Sequence, residues 1–137
     1  MDFSLHQFVK PVVGILAANR STGTVNGPAI DRLGFEDALV VVNSGTNGTN
    51  GTVDIKIQES DASDSGFADI SGAAFPQITT DNDETIYVGR LKLTGRKRYI
   101  RVVATVGTAA CAFGVDVILG KAEQLPVSQV NAVAFAI

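Results

Sequence analysis

Tryptophan is absent from the 137 residues, and aromatic residues make up only 7% of them. A core therefore has to be assembled mainly from Val, Ile, Leu and Ala. A single cysteine, Cys111, excludes an intrachain disulfide framework and a cysteine-based zinc site. It sits in the apolar run Ala109-Ala110-Cys111-Ala112-Phe113 and reads as a small buried hydrophobe. The single histidine, His6, lies near the start of the chain, and no Ser–His–acid set can be assembled around it. Gly-x-Ser-x-Gly, phosphate-loop and paired-histidine motifs are all missing. These absences point away from an enzyme, and no cofactor is expected.

Long apolar runs are missing too. Asp2, His6 and Lys10 interrupt the stretch from Met1 to Leu16, so no signal peptide is expected. No run approaches the roughly 18 apolar residues of a membrane span, and no membrane partner is expected. Net charge is −3, which lacks the dominant basic field that non-specific nucleic-acid binding needs, so no nucleic-acid partner is expected either. Three Asn-x-Ser/Thr triplets, at Asn19, Asn47 and Asn50, read as loop chemistry rather than glycan sites.

What the chain does have is 45% apolar residues arranged in short alternating runs between turn signals. Residues 1–29 read as an extended N-terminal arm, with Pro11 and Gly14 arguing against a helix. The continuous apolar run Ala38–Val42, with its three β-branched valines, predicts a strand buried on both sides. Asn43 to Gly51 holds two Asn-Gly pairs, and Thr52–Gln58 alternates with Val53, Ile55 and Ile57 inward. Together these predict a long β-hairpin. Further strands are expected over Glu84–Leu93, Arg98–Val106 and Cys111–Leu119. On one face these strands would carry Thr85, Tyr87, Gly89, Leu91 and Leu93; Ile100, Val102, Ala104 and Val106, with Tyr99, Arg101, Val103 and Thr105 on the other; and Cys111, Phe113, Val115, Val117 and Leu119. The sum is an all-β protein, an antiparallel β-sandwich of Ig-like or jelly-roll-like type spanning residues 30–120. Residues 121–137 read as a C-terminal arm or a final strand, with Val133, Phe135 and Ile137 alternating with alanines.

Acidic clusters offer weak chemistry. Asp61-Ala62-Ser63-Asp64-Ser65-Gly66 has oxygens at alternating positions but lacks the later glutamate of a calcium loop, since Gly72 stands there. Asp54 with Glu59, and Asp81 with Asp83 and Glu84, read as solvated outward residues, with no aromatic sugar platform beside them. No metal is expected.

Charge is segregated. Eight acidic residues and only Lys56 lie between Asp54 and Glu84; six basic residues and no acid lie between Arg90 and Arg101. Either neighbouring strands pair these charges within one subunit, or the segments steer docking. On the second reading, Arg90, Arg96, Lys97, Arg98 and Arg101 form a lattice-facing or intersubunit surface. The apolar residues Val133, Phe135 and Ile137 are a second candidate contact.

Several segments carry a family likeness. Asp31-Arg32-Leu33-Gly34-Phe35-Glu36 and Val40-Val41-Val42-Asn43 resemble segments of small virion proteins of tailed bacteriophages. So do Gly51-Thr52-Val53, Ile57-Gln58-Glu59-Ser60-Asp61 and Gly66-Phe67-Ala68-Asp69-Ile70. Gly95 to Val103 and Phe113 to Gly120 extend the resemblance to about residues 30–120. The resemblance implies a non-enzymatic head decoration or cement protein on the capsid surface, made in the host cytoplasm, whose partner is the major capsid protein lattice. Arms that reach neighbours add the expectation of a homo-oligomer, with a trimer favoured over a dimer. Two alternatives stand beside it: a head–tail junction or tail-associated protein, and a carbohydrate-binding adhesion module.

Overall fold

The computed structural model describes residues 4–137. The first three residues of the expected arm lie outside them. A short 3-10 turn, Leu5–Gln7, precedes nine strands: β1 Lys10–Arg20, β2 Gly23–Asn26, β3 Ile30–Asp31, β4 Phe35–Asn47, β5 Thr52–Ser60, β6 Ala68–Ala74, β7 Ile86–Lys92, β8 Tyr99–Gly107 and β9 Cys111–Ala122. They form two antiparallel sheets. One has the order β1-β9-β4-β7; the other runs β2-β8-β5-β6, with β3 beside β8. The expected antiparallel β-sandwich is what the chain forms.

The inward rows read from the sequence are those that fill the space between the sheets. Val40 and Val42 from β4, Val53, Ile55 and Ile57 from β5, Ile100, Val102 and Ala104 from β8, and Val115, Val117 and Leu119 from β9 are all buried in one cluster. Period-two alternation sends one row of each strand inward, and small β-branched side chains interdigitate there without any tryptophan.

The predicted hairpin does not form. β4 pairs with β7 and β9, whereas β5 pairs with β6 and β8. The two strands lie in opposite sheets and face each other across the core. Residues 48–51 carry the chain over as an arch, closed by the Gly51 N–H donating to the Gly48 carbonyl at 2.7 Å. Asn47, buried at the end of β4, donates its side-chain amide to the carbonyls of Gly51 and Ile78. Its backbone N–H donates to Asp83 at 2.7 Å. The glycines serve packing: a Cβ on Gly51 would lie 2.8 Å from Cys111 Sγ, and one on Gly48 would lie 2.9 Å from Ala109 Cβ. The strand expected to be buried on both sides is also half-exposed, since Leu39 and Val41 point away from the core.

Residues 10–26, expected in an arm, form strands in both sheets. β1 pairs along β9 from Lys10↔Leu119 to Arg20↔Cys111, and β2 pairs with β8 from Gly23↔Val106 to Asn26↔Val103. Pro11 and Gly14 are compatible with this because β1 is an edge strand with register shifts at Val13/Ile15 and Ile15/Ala18. After Ala122 no further strand forms. Residues 123–137 turn back along the start of the chain, where Val127 N–H donates to the Gln7 carbonyl at 2.9 Å.

Candidate interaction surface

The two sheets have chemically different outer faces. On the five-stranded sheet the outward residues are polar and tied to one another. Lys56 pairs with Asp69 at 3.0 Å, Gln58 donates to Asp69 at 2.8 Å, and Arg101 donates to Gln58 at 2.9 Å. The Arg101 guanidinium also lies 4.3 Å from the centre of the Phe67 ring. Val103, expected on this face, is buried.

The same pairing accounts for the basic segment. Arg90, on β7, meets Asp37 at 3.0 Å, and Arg96 meets Glu59 at 3.2 Å. Lys97 lies 3.7 Å from Asp61. Arg98 grips both carboxylate oxygens of Asp31, at 3.1 and 2.8 Å, and lies over the Tyr99 ring. The guanidinium of Arg98 holds the Asp31 carboxyl below its usual range, and that of Arg90 does so for Asp37. The carbonyls of the Arg96 and Lys97 turn are bound in addition by the Arg32 guanidinium. Arg90, Arg96–Arg98 and Arg101 are spread over β7, a turn and β8, and each is engaged inside the subunit. Two of the basic residues, Arg96 and Lys97, pair with the acidic segment, at Glu59 and Asp61, whereas Arg90 and Arg98 pair with Asp37 and Asp31 outside it.

The outer face of the four-stranded sheet is of another kind. Strand register sets its side chains in rows: Pro11–Ile118–Leu39–Arg90, then Val13–Asp116–Val41–Val88, then Gly114–Asn43–Ile86. Leu16 is 67% exposed, Ile86 61% and Val88 57%. Asp116 is the single charge among the two central strands of these rows. Small residues make a depression of about 540 Å³ at the β1–β9 side, over Ala17, Ala18, Gly45, Ala112 and Gly114. Ala17 lies directly over Gly114, where a Cβ would come within 2.8 Å of the Ala17 Cβ. Contiguous exposed apolar surface on a folded domain marks a contact site. Alternation in the sequence marks the buried row and carries no signal that the row between, on neighbouring strands, adds up to an apolar face.

The C-terminal segment provides a second apolar surface. Val130, Val133, Phe135 and Ile137 are exposed, Phe135 at 77%. The segment is anchored at its base by the Gln129 side-chain amide, which donates to the carbonyls of His6 and Val9 at 2.6 and 2.8 Å.

Among the described residues no group of three His, Cys, Asp or Glu side chains is placed to hold a metal ion. Cys111 is buried, and desolvation pushes its thiol up. Asp83 and Glu84 bind the end of β4 beside the arch: Asp83 accepts from Asn47 N–H, and Glu84 accepts from the Thr46 hydroxyl at 2.8 Å, while Asp81 donates its backbone N–H to the Thr79 hydroxyl.

Fold and surface together define an all-β sandwich module with one apolar outer face and one internally neutralised polar face. No protein-family model matches the chain, and no curated protein matches it. Among solved structures, the crystal structure of PBSX exported protein XepA is similar in fold, with a TM-score of 0.61 and 17% identity over 93% of this chain. The chain spans 42% of XepA's length. Lower overlaps occur with Bacillus endospore appendages, at TM-score 0.40 and 12% identity, covering 88% of this chain and 96% of that one. Broad bean stain virus gives TM-score 0.38 and 11% identity, covering 88% of this chain and 66% of that one.

Proposed function

We propose that the protein is a non-enzymatic structural component of a bacteriophage particle, and that it acts as a decoration or cement protein on the outer capsid lattice. The observation that carries this reading is the exposed apolar outer face of the four-stranded sheet, set on a sandwich in which Arg90, Arg96 and Arg98 are ion-paired within the subunit. Such a body offers surface for assembly and no convergent chemistry for turnover. The fold it shares with a phage PBSX protein, and the segments that resemble small virion proteins, support the same reading.

Binding to expanded capsids tests it. The purified chain is expected to co-sediment with them and to raise their resistance to heat or chaotrope. Absence of the protein from purified particles, with capsid stability unchanged when its gene is deleted, would sink the proposal. Copy number per particle separates the shell from the head–tail junction: many copies for a lattice protein, few for a junction.

A second reading follows from the word "exported" in the name of the similar structure. On that reading the chain accumulates free of particles. Quantifying it in the particle and particle-free fractions of a lysate decides between the two. A carbohydrate-binding role finds less support, because Tyr87 donates its hydroxyl to the Asn82 carbonyl and Tyr99 lies under Arg98.

A further inference from the structure

We propose that Asn47-Gly48 is a site of spontaneous deamidation that the completed fold keeps shut, and that Asn47, of the asparagines followed by glycine, is the one whose amide the fold needs. The inference concerns the lifetime of the chain and is independent of what the molecule binds.

Asparagine before glycine is open to this chemistry because no Cβ hinders the glycine nitrogen as it approaches the preceding side chain. The nitrogen of Gly48 gives up its proton and bonds to Asn47 Cγ. The Cγ–Nδ2 bond breaks, and ammonia leaves with that proton. Water then opens the cyclic imide to aspartate, or to its isomer linked through the side chain, which puts an extra carbon in the main chain. Three such pairs occur: Asn26-Gly27, Asn47-Gly48 and Asn50-Gly51. In the fold each glycine N–H is already engaged. Gly27 donates to the Val102 carbonyl and Gly48 to the Ala110 carbonyl, both at 2.8 Å, and Gly51 donates to the Gly48 carbonyl at 2.7 Å. A nitrogen held in this way is not free to turn on its neighbour's side chain.

The pairs differ in what surrounds the asparagine. Asn26 and Asn50 are exposed, and the bond that holds Gly51 is a local turn. Asn47 is only 6% exposed, and its amide donates to the Gly51 and Ile78 carbonyls at 3.0 and 3.2 Å. An aspartate there has no proton for either carbonyl and buries a charge, with the Asp83 carboxylate already on the N–H of the same residue. The glycine is equally fixed, since a Cβ on residue 48 would lie 2.9 Å from both the Ala109 Cβ and the Ala110 carbonyl oxygen. The groups that hold Asn47 and Gly48 come from Ile78, Asp83 and Ala110, so the pair is closed only once those later segments are in place. The same geometry makes the pair necessary and protects it.

Ageing the full chain in mildly alkaline buffer tests this, with each asparagine read by fragment-ion mass spectrometry. In denaturant Asn26, Asn47 and Asn50 should deamidate at similar rates. Without denaturant Asn47 should react at least ten-fold more slowly than in denaturant, and more slowly than Asn50. Equal rates at Asn47 in the two states overturn the shielding. The aged chain is then diluted out of denaturant a few degrees below the Tm of the unaltered protein, and native material is separated from the rest. Chains altered at Asn47 should be depleted at least five-fold from the native fraction, and those altered at Asn26 or Asn50 should partition like the unaltered chain. Single variants supply a second reading. Asn47→Asp should fail to fold or lower Tm by about 10 °C or more, whereas Asn26→Asp and Asn50→Asp should melt within about 3 °C of the unaltered protein. An Asn47→Asp variant that melts with the unaltered protein, equal partition of chains altered at Asn47, or a loss at Asn26 or Asn50 as large as that at Asn47 overturns the special standing of this amide.

Discussion

A Cβ placed on Gly27 would stand 1.9 Å from the carbonyl oxygen of Gly14. The two backbones touch where the first strand of one sheet passes the edge of the other. Gly27 is held there by its N–H, which donates to the Val102 carbonyl at 2.8 Å. Gly14 is as confined, since a Cβ on it would meet Val102 Cγ2 and the Val115 carbonyl at 3.0 Å. This contact closes the sandwich along the β1 side.

Gly27→Ala should therefore destabilise the fold by at least about 2 kcal/mol, because backbone has to move to admit the methyl group. For a domain of this size that corresponds to a fall in Tm of roughly 6–10 °C by thermal melt. A Tm unchanged within error would show that the backbones are not in contact.

Acid should destabilise the protein through its paired carboxyls. Arg98 lowers the Asp31 carboxyl and Arg90 lowers that of Asp37. The folded state keeps these groups ionised at a pH where the unfolded chain takes up protons. Their contribution is present above the ordinary carboxylate range and is lost as pH falls through the lowered values, so Tm should decline from about pH 5 towards about pH 3. The Asp31→Asn, Asp37→Asn double variant should show a shallower decline. An identical slope in the variant would mean that other groups carry the effect.

Replacing Arg96, Lys97 and Arg98 with serine should lower Tm by a few degrees and leave self-association unchanged. The reason is that their partners, Glu59, Asp61 and Asp31, lie within the same subunit. Added salt should reduce the difference in Tm from the unaltered protein. Salt-dependent loss of association at constant Tm would instead restore these residues to an intersubunit surface.

Cys111 should be inert to thiol reagents in the native state. It is fully buried, and burial raises its thiol, so the reactive thiolate is scarce and enclosed. Labelling should follow unfolding in denaturant. Rapid labelling of the native protein would show an opening of the β8–β9 end.

The inward rows of β5, β7, β8 and β9 were legible because each strand is amphipathic, and alternation alone fixes which side chains are buried. Pairing was not legible to the same degree. Val40 and Val42 share one buried cluster with Ile55 and Ile57 from the opposite sheet, yet side-by-side strands would show the same alternation. The Asn-Gly pairs before β5 suit a hairpin turn and an arch equally well. What decides is Asn47, whose side chain and backbone reach Ile78 and Asp83, more than thirty residues away. Such a distant partner leaves no local signal. The strand nature of β1 was hidden for a related reason: Pro11 and Gly14 mark bulged edge strands as readily as arms. The charge segregation is visible, but the partners are not: Arg98 pairs with Asp31, sixty-seven residues away and outside the acidic segment.

The position of β1 also has a consequence in time. Among the described strands, β1 pairs only with β9, so the second strand from that edge is the last to be synthesised. β4 likewise waits for β9 on one side and β7 on the other. Almost every pairing joins distant parts of the chain, a topology whose folding falls in the millisecond-to-second range rather than microseconds. A nascent chain halted before residue 111 holds β1 with no partner and β4 with one edge bare. The arrival of β9 thus completes a four-stranded sheet of which β4 and β7 can already be joined, giving β1 its partner and β4 its second one.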